Sequence, residues 1–458
     1  MKKLLLNTSK TNQQNLFYSQ LSDMLDMNDP LIALANAIDW EIFENEFAGF
    51  YSKDGCPAKP IRLMVGLLIL KQLENLSDES IVIQWKRNPY YQYFCGYNEM
   101  QVCEPCHSTQ LVKFRQRIGK EGMELIFKVS VQLHGNKAEE KEVLIDTTVQ
   151  EKNITYPTDG KLAIKMIHHL HKIGKKEQLN LRRTFVKEIK EHRINLRFFK
   201  HPKKIKKARA SIKRLRTIVG ILIRDISRNL SQDKLSNYEN TFKLFDKVRN
   251  QQIKDSNKVL SLHETHVYAI TKGKDHKKYE YGTKASIVAT KDSGVIVGVA
   301  SHSKNEHDSK TLEAALISAN QTRTTPIKEA ICDRGYRGVK EVLGTTICIP
   351  GTPLKRDSEY QKQKKREKFK RRAAIEPIIG HLKSDFRLAR NYLKGFIGDQ
   401  INLLLAATAW NLKKWINIYF FALFNGETKL LLESVSQIKL YYQIFLQLIV
   451  IKLIFIHS

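Results

Sequence analysis

The sequence predicts an α/β core that is interrupted by a basic helical insertion and preceded by a helical N-terminal domain. Short β-branched segments between charged or turn residues predict strands at 143–150, 279–290, 294–303, 326–336 and 345–350. A helical pattern at 308–320 lies between these strands, and a longer one, 160–257, follows the first strand. Strands that alternate with helices are typical of an α/β fold, so we expect the longer helical segment to be an insertion.

The length of 458 residues exceeds what one hydrophobic core usually supports, so we expect several domains. The predicted divisions are a helical N-terminal region at 1–135, the strand-containing core at 136–159 plus 258–395, the basic helical insertion at 160–257, and a C-terminal helical tail at 396–458. Within the first region, 61–76 predicts a helix after Pro60, and Ser108 is the expected N-cap of an amphipathic helix.

The charge balance predicts a polyanionic partner. The chain has 77 Lys and Arg against 47 Asp and Glu, a net charge of +30, which favours nucleic acid or an anionic membrane. Residues 161–260 hold 28 basic and 8 acidic side chains, and 355–372 hold 10 and 3. A solvated helix face is the alternative for each run, but two such runs beside candidate catalytic carboxylates favour phosphate binding.

Particular basic side chains are expected to contact double-stranded DNA. Those of the insertion are Lys203, Lys204, Lys206 and Lys207. In the N-terminal region, which we expect to bind DNA, the helix after Ser108 carries Arg115 and Arg117 as candidates for phosphate or groove contacts. The alternative for that helix is packing against the core.

Cysteine content and the N-terminal residues predict a cytoplasmic protein. Six cysteines in so long a chain do not make a disulfide framework, and three consecutive leucines near the start are too few for a signal peptide. Residues 440–451 form an uncharged apolar run between two lysines that is too short to span a bilayer and predicts a buried or interfacial helix. We therefore expect a nucleoid-associated protein with no membrane partner.

Three acidic residues are candidate metal ligands. Asp146 lies inside an apolar strand, where an unpaired carboxylate is costly, and Asp333 lies at a predicted strand end before Gly335. Glu376 lies between a basic run and an apolar helix. Two strand aspartates and a helix glutamate can bind two Mg²⁺ or Mn²⁺ ions for attack on a phosphodiester. Each acid taken alone has a structural alternative, as an ion-pair partner or a cap.

Pro377 complicates the helix around Glu376, because proline disfavours helical geometry at the preceding residue. Glu376 is therefore expected at a helix start or kink. Lys383 lies two turns further on the same face and is expected to point at the same DNA, whereas Arg372 shares that face only if the helix continues upstream.

Three blocks of the sequence resemble the acidic blocks of bacterial insertion-sequence DDE transposases of the insertion-sequence-five kind, close to the insertion-sequence-four superfamily. The blocks begin at Leu144, Cys332 and Ile375, and the similarity runs in order from about residue 20 to Trp415. The resemblance implies a ribonuclease-H-like catalytic core, two divalent metal ions, and binding to the terminal inverted repeats of the element. It also implies that Asp146, Asp333 and Glu376 form the acidic triad.

Two positions depart from the pattern of the related superfamily. Arg372, Glu376 and Lys383 match its Arg, Glu and Lys, but Phe369 stands where a tyrosine is expected. The segment 303–312 also differs, and within it we interpret Asp308 as a helix cap.

The expected function is metal-dependent cleavage of DNA at the ends of an insertion sequence, followed by attack of the freed 3′-hydroxyl on target DNA, with the protein acting as a dimer or higher oligomer. Two alternatives remain. One is a structure-specific nuclease that cuts without joining, and the other is a non-catalytic DNA-binding protein derived from a transposase.

Overall fold

The computed structural model describes residues 3–4, 19–51, 57–252, 254–274, 277–351 and 356–423. The N-terminal elements are β1 (Lys3–Leu4), α1 (Leu21–Met24), α2 (Pro30–Ala37), α3 (Trp40–Ala48), β2 (Pro57–Ala58), α4 (Ile61–Leu73), α5 (Asp78–Arg87), α6 (Pro89–Phe94) and α7 (Ser108–Gln132). Nearly every residue of α4 is buried, as expected for a helix that is apolar on all sides. This helix therefore lies at the centre of the N-terminal region.

The second group of elements begins with strand β3 (Glu142–Glu151). It continues through the helices α8 (Asp159–Lys176), α9 (Val186–Asn195), α10 (Ile205–Asn229) and α11 (Gln232–Asn250). Apolar residues at helical spacing on α8 and α10 form a core of their own, which does not include residues of the sheet. These four helices connect β3 to the next strand of the same sheet.

The remaining elements complete the sheet and its covering helices. They are β4 (Tyr268–Lys274), β5 (Lys277–Thr290), β6 (Ile296–His302), α12 (Asp308–Thr322), β7 (Glu329–Ile331), β8 (Glu341–Val342), β9 (Thr345–Cys348), α13 (Glu359–Arg372), α14 (Ile375–Ser384) and α15 (395–423). The predicted mixed α/β architecture is confirmed. The predicted strand at 326–336 is shorter than expected, because β7 ends at Ile331 and Asp333 lies just beyond it.

The sheet is mixed, with β3 near its centre. The strand order is β4-β5-β3-β7-β9-β8, and β6 also pairs with β5. β3 runs parallel to β7 and antiparallel to β5, while β7 runs parallel to β9. Both faces of β3 are covered, since Val143 and Ile145 belong to the main core and Leu144 to a smaller cluster on the opposite face. This explains the continuous apolar run in the sequence.

The main hydrophobic core extends across three of the predicted regions. It includes residues of α4 and α7, residues of β3 and β5, and residues of α15 such as Leu405 and Leu412. Polar contacts join the same parts, because Gln72 donates to the Phe386 carbonyl at 2.6 Å and His134 contacts the Asn411 carbonyl at 3.0 Å. The N-terminal helices therefore pack on the sheet, and the segment predicted as a tail from residue 396 begins inside the core.

A buried ionic cluster ties the two ends of the helical insertion to α15. The Lys152 ammonium lies 2.6 Å from Asp399 Oδ1 and 3.4 Å from Glu264 Oε2, and His266 Nε2 lies 2.9 Å from Asp399 Oδ2. Lys152 follows β3, whereas Glu264 and His266 precede β4. The cluster therefore holds together the two chain segments that lead into and out of the insertion.

The prediction that Ser108 caps α7 is wrong. The N-cap of α7 is His107, whose ring nitrogen accepts from the Thr109 amide, because Ser108 is already the first helical residue. The same helix is also broken by Gly119, which has a positive φ of 62° and so a conformation that glycine tolerates best.

The predicted apolar helix at 440–451 lies outside the described residues. None of the helices within the described ranges is long and apolar enough to cross a membrane.

Candidate active site

Asp146 lies within β3, and Asp333 lies two residues beyond the end of the neighbouring parallel strand β7. In the register of β3 and β7, Leu144 is opposite Ile331. Asp146 follows Leu144 by two residues, and Asp333 follows Ile331 by two residues. Because alternate residues of a strand share a face, Asp146 lies on the same face as Leu144. The sheet therefore brings the first two predicted carboxylates to the same level.

The turn after β7 fixes the backbone around Asp333. The Asp333 side chain caps this turn, since its Oδ1 accepts from the Gly335 amide at 2.8 Å. Tyr336, at the end of the turn, is fully buried in the main core. Burial raises the pKa of the Tyr336 hydroxyl, and the negative charges of Asp146, Asp308 and Asp333 raise it further. The buried Tyr336 side chain therefore anchors this turn in the main core.

Glu376 is brought to the same strands by the apolar start of α14. Ile375 is fully buried and packs in one cluster with Leu144 and Ile331, the residues two positions before the aspartates. Glu376 is the next residue along the chain, in the first turn of α14. Its carboxylate is 63% exposed and accepts from Arg372 at 3.2 Å. The packing therefore places the third predicted acid at the same end of the sheet.

The chain around Pro377 explains the position of Glu376. α13 ends at Arg372 and α14 begins at Ile375, so the two helices are separate, and Glu376 lies at a helix start as predicted. The Arg372 side chain reaches Glu376 although no continuous helix connects them. Phe369, which stands in place of the expected tyrosine, packs against the cluster of Leu144 and Ile375. It therefore supports the site through its apolar ring.

The donor chemistry of the three acids fits Mg²⁺ or Mn²⁺, because both ions prefer carboxylate oxygens. Within the described ranges, however, no group of three or more His, Cys, Asp or Glu side chains is arranged to hold a metal ion. Glu376 is paired with Arg372 in this arrangement. Binding of one ion by all three acids would therefore require the carboxylates to rearrange.

Sequence reasoning missed a fourth acidic residue at this site. Asp308 was interpreted as a helix cap, but the cap of α12 is His307, whose ring nitrogen accepts from the Ser309 amide. Asp308 instead accepts hydrogen bonds from Thr147 and Lys284, both on the sheet. No local pattern could have shown this, because Thr147 and Lys284 are far from Asp308 in sequence.

The lysines predicted to contact DNA in the insertion lie at its surface. Lys203, Lys204, Lys206 and Lys207 are exposed, at or just before the start of α10. Lys204 lies over the Phe198 ring at 4.3 Å from its centroid, and none of the four ammonium groups forms an ion pair within the described chain. They are therefore available to solvent. Near the acids, Arg372 and Lys383 are partly buried.

Arg115 does not lie at the surface, so the prediction that it contacts DNA is wrong for this structure. Its side chain is 4% exposed and makes a bidentate pair with Asp78, which Lys71 also approaches at 3.1 Å. Burial lowers the pKa of Lys71 to about 8, against the opposing effect of Asp78. Arg117 is half-buried, with its guanidinium 4.6 Å from the centroid of Tyr51. One face of α7, which includes Arg115, therefore packs against other elements of the molecule, which was the alternative.

Comparison with known proteins gives matches to two transposase families. Residues 19–117 match a transposase domain family (DUF772), and residues 257–412 match the transposase DDE domain. The second range contains Asp333 and Glu376, whereas Asp146 lies outside both. No solved structure matches the chain.

A relative from Rhizobium meliloti, described as an uncharacterized protein, ORF8 in the nfe locus, is 37% identical over 194 residues. These residues are 41% of this chain and 94% of the relative, so the similarity covers almost the whole of the shorter protein. Together with the two transposase domains, this shows that the chain belongs to the insertion-sequence DDE transposase family and is an enzyme that acts on DNA.

Proposed function

We propose that this transposase cleaves DNA at the terminal inverted repeats of its element and joins the freed 3′ ends to target DNA, with Asp146, Asp333 and Glu376 as its acidic triad. The observation that carries the proposal is the register of β3 and β7, which sets Leu144 opposite Ile331 two residues before each aspartate, together with the packing of Ile375 in one cluster with both residues. Three acids that are far apart in sequence thereby reach one end of the sheet.

The order of the strands supports a ribonuclease-H-like core. β3 lies between the antiparallel strand β5 on one side and the parallel strands β7 and β9 on the other. Asp146 lies within β3 and Asp333 just beyond the end of the adjacent parallel strand β7. The helices α8–α11 leave the core directly after β3, so the insertion extends from the strand that carries Asp146.

Two Mg²⁺ or Mn²⁺ ions bound by these acids would activate the attacking oxygen and stabilise the leaving oxygen. The protein's own contribution is positioning, because the pairing of β3 with β7 and the turn that Asp333 caps set the backbone of both aspartates before any substrate binds. Arg372 holds Glu376 at 3.2 Å and is well placed to pair with a DNA phosphate once Glu376 turns to a metal. Lys383, on the same helix as Glu376, would contact the same strand of DNA.

The exposed lysines near the start of α10 would supply further phosphate contacts along double-stranded DNA, both terminal repeat and target. A dimer or higher oligomer would bring the two ends of an element together. We also place the chain in the insertion-sequence-five group, near the insertion-sequence-four superfamily, and expect it to associate with the nucleoid.

The test is to replace each acid by its neutral amide in the full-length protein. Asp146→Asn, Asp333→Asn and Glu376→Gln should each reduce Mg²⁺-dependent cleavage of a terminal-repeat duplex to background, while DNA binding in an electrophoretic shift assay stays near that of the wild type. Asp233→Asn, at an exposed position in the first turn of α11, is the matched control and should cleave normally. Near-normal cleavage by any one of the three variants would contradict the triad.

A further inference from the structure

We propose that Asp308, which lies outside the triad, is a positioning residue that holds the Asp146 strand and the Asp333 turn in a fixed relation. The inference rests on the proposed function, since it concerns how the metal-binding carboxylates are arranged. One oxygen of Asp308 contacts the sheet, and the other faces the turn that carries Asp333.

The first oxygen of Asp308 is held by two donors from the sheet. The Thr147 hydroxyl, on the residue that follows Asp146, donates to Oδ1 at 2.9 Å, and the Lys284 ammonium donates to the same oxygen at 2.9 Å. Lys284 is largely buried and also donates to the Glu306 carbonyl at 2.6 Å. A hydrogen bond between an ammonium and a carboxylate is stronger than one between neutral groups. Asp308 therefore has a well-defined position against β3 and β5.

The second oxygen of Asp308 faces Asp333 across Gly335. A methyl group at Gly335 would lie 3.0 Å from Asp308 Oδ2 and 2.9 Å from Asp333 Oδ1, both too close for an undisturbed carbon contact. The two carboxylate oxygens therefore approach one small volume, which the absence of a side chain at Gly335 leaves open. Asp308 limits the positions that the Asp333 side chain can take on that side.

Asp308 thus lies between the surroundings of Asp146 and those of Asp333, although it is not one of the proposed metal ligands. On one side it is bonded to the neighbour of Asp146, and on the other it borders the Asp333 carboxylate. Lys284 supplies a positive charge that offsets the repulsion between the two acids. Residues that orient metal ligands through hydrogen bonds affect metal affinity although they do not touch the ion. Loss of the Asp308 carboxylate would release Thr147 and widen the range of Asp333 positions.

Mn²⁺ binding to the full-length protein tests the proposal without relying on activity. Free Mn²⁺ is measured by electron paramagnetic resonance during titration, and thermal unfolding by circular dichroism checks that each variant is folded. Asp308→Ala should raise the Mn²⁺ dissociation constant about 10- to 100-fold, whereas Asp308→Asn, which keeps Oδ1 for both donors but loses the charge opposite Lys284, should raise it by a smaller factor. Asp233→Asn is again the control and should leave binding unchanged.

Thr147→Val provides a second test if Asp308→Ala does not fold, because it removes one donor to Asp308 with little change in shape. It should weaken Mn²⁺ binding in the same direction by a smaller factor. Wild-type affinity in Thr147→Val and Asp308→Ala would overturn the inference. Equal losses in Asp308→Asn and Asp308→Ala would also overturn it, since the contacts of Oδ1 with Thr147 and Lys284 would then make no difference to metal binding. Wild-type affinity in both Asp146→Asn and Asp333→Asn would instead overturn the proposed function.

Discussion

Helices α7 and α10 have the same length, 25 residues, and both carry basic residues beside an apolar face, yet they are placed very differently. α7 packs into the main core, and its Arg115 is buried against Asp78 on α5. α10 buries one face in the core of the insertion and leaves Lys206 and Lys207 in solvent. Basic residues on a helix therefore indicate DNA binding only where no other element covers them.

The position of Arg115 in its helix explains the difference. Arg115 lies four residues after Leu111 and three before Ile118, both buried, so it falls on the apolar face of α7. A charged residue on that face is tolerated because Asp78 pairs with both terminal nitrogens of its guanidinium. The spacing was visible in the sequence, whereas the partner on α5 was not.

Breaking the buried pair should give the largest change in stability. Arg115→Ala leaves Asp78 without its bidentate partner, and we expect a loss of about 3 kcal/mol in the free energy of unfolding, the lower end of the range for such pairs because Lys71 still contacts Asp78. Denaturant unfolding followed by circular dichroism measures the loss. Arg117→Ala is the matched control at a half-buried position and should cost less. Equal stability of Arg115→Ala and the wild type would show that α7 is not held by this pair.

Reversing charges on the insertion should change DNA binding and leave stability nearly unaltered. Replacing Lys203, Lys204, Lys206 and Lys207 by Glu should flatten the dependence of log affinity on log salt by about 3 to 4, since each neutralised phosphate contributes about 0.9. Fluorescence anisotropy at several salt concentrations measures the slope. An unchanged slope would mean that these lysines form a solvated face, and the contrast between α7 and α10 would then lose its functional meaning.

The sequence was sufficient to predict the strands that carry the acids. Asp146 stood out because it interrupts an apolar run, and Pro377 correctly indicated that a helix begins near Glu376. Asp308 was misassigned because its partners, Thr147 and Lys284, come from strands that only the folded sheet brings together. Local spacing identifies a helix start, but it does not show which distant residue a side chain will contact.

The relation between regions was the other feature that local patterns did not reveal. Helical periodicity located α4 and α15, but not that both belong to one core with the sheet. The contacts between Gln72 and Phe386 and between His134 and Asn411 join chain segments that are far apart in sequence. A fragment ending at residue 135 would expose that shared core, so the recognition of terminal repeats has to be tested in the full-length protein.

A strand-transfer assay tests most directly whether this protein joins the ends of its element to target DNA through the proposed acidic triad. The full-length protein is incubated with Mg²⁺, a plasmid, and a pre-cut duplex that carries the terminal repeat of the element, and joined products are separated by electrophoresis. We predict that the wild type forms joined product with the repeat end and much less joined product with a scrambled end at the same salt concentration. Asp333→Asn should form no joined product. Cleavage of DNA with no joined product and no preference for the repeat would contradict this prediction and favour a nuclease.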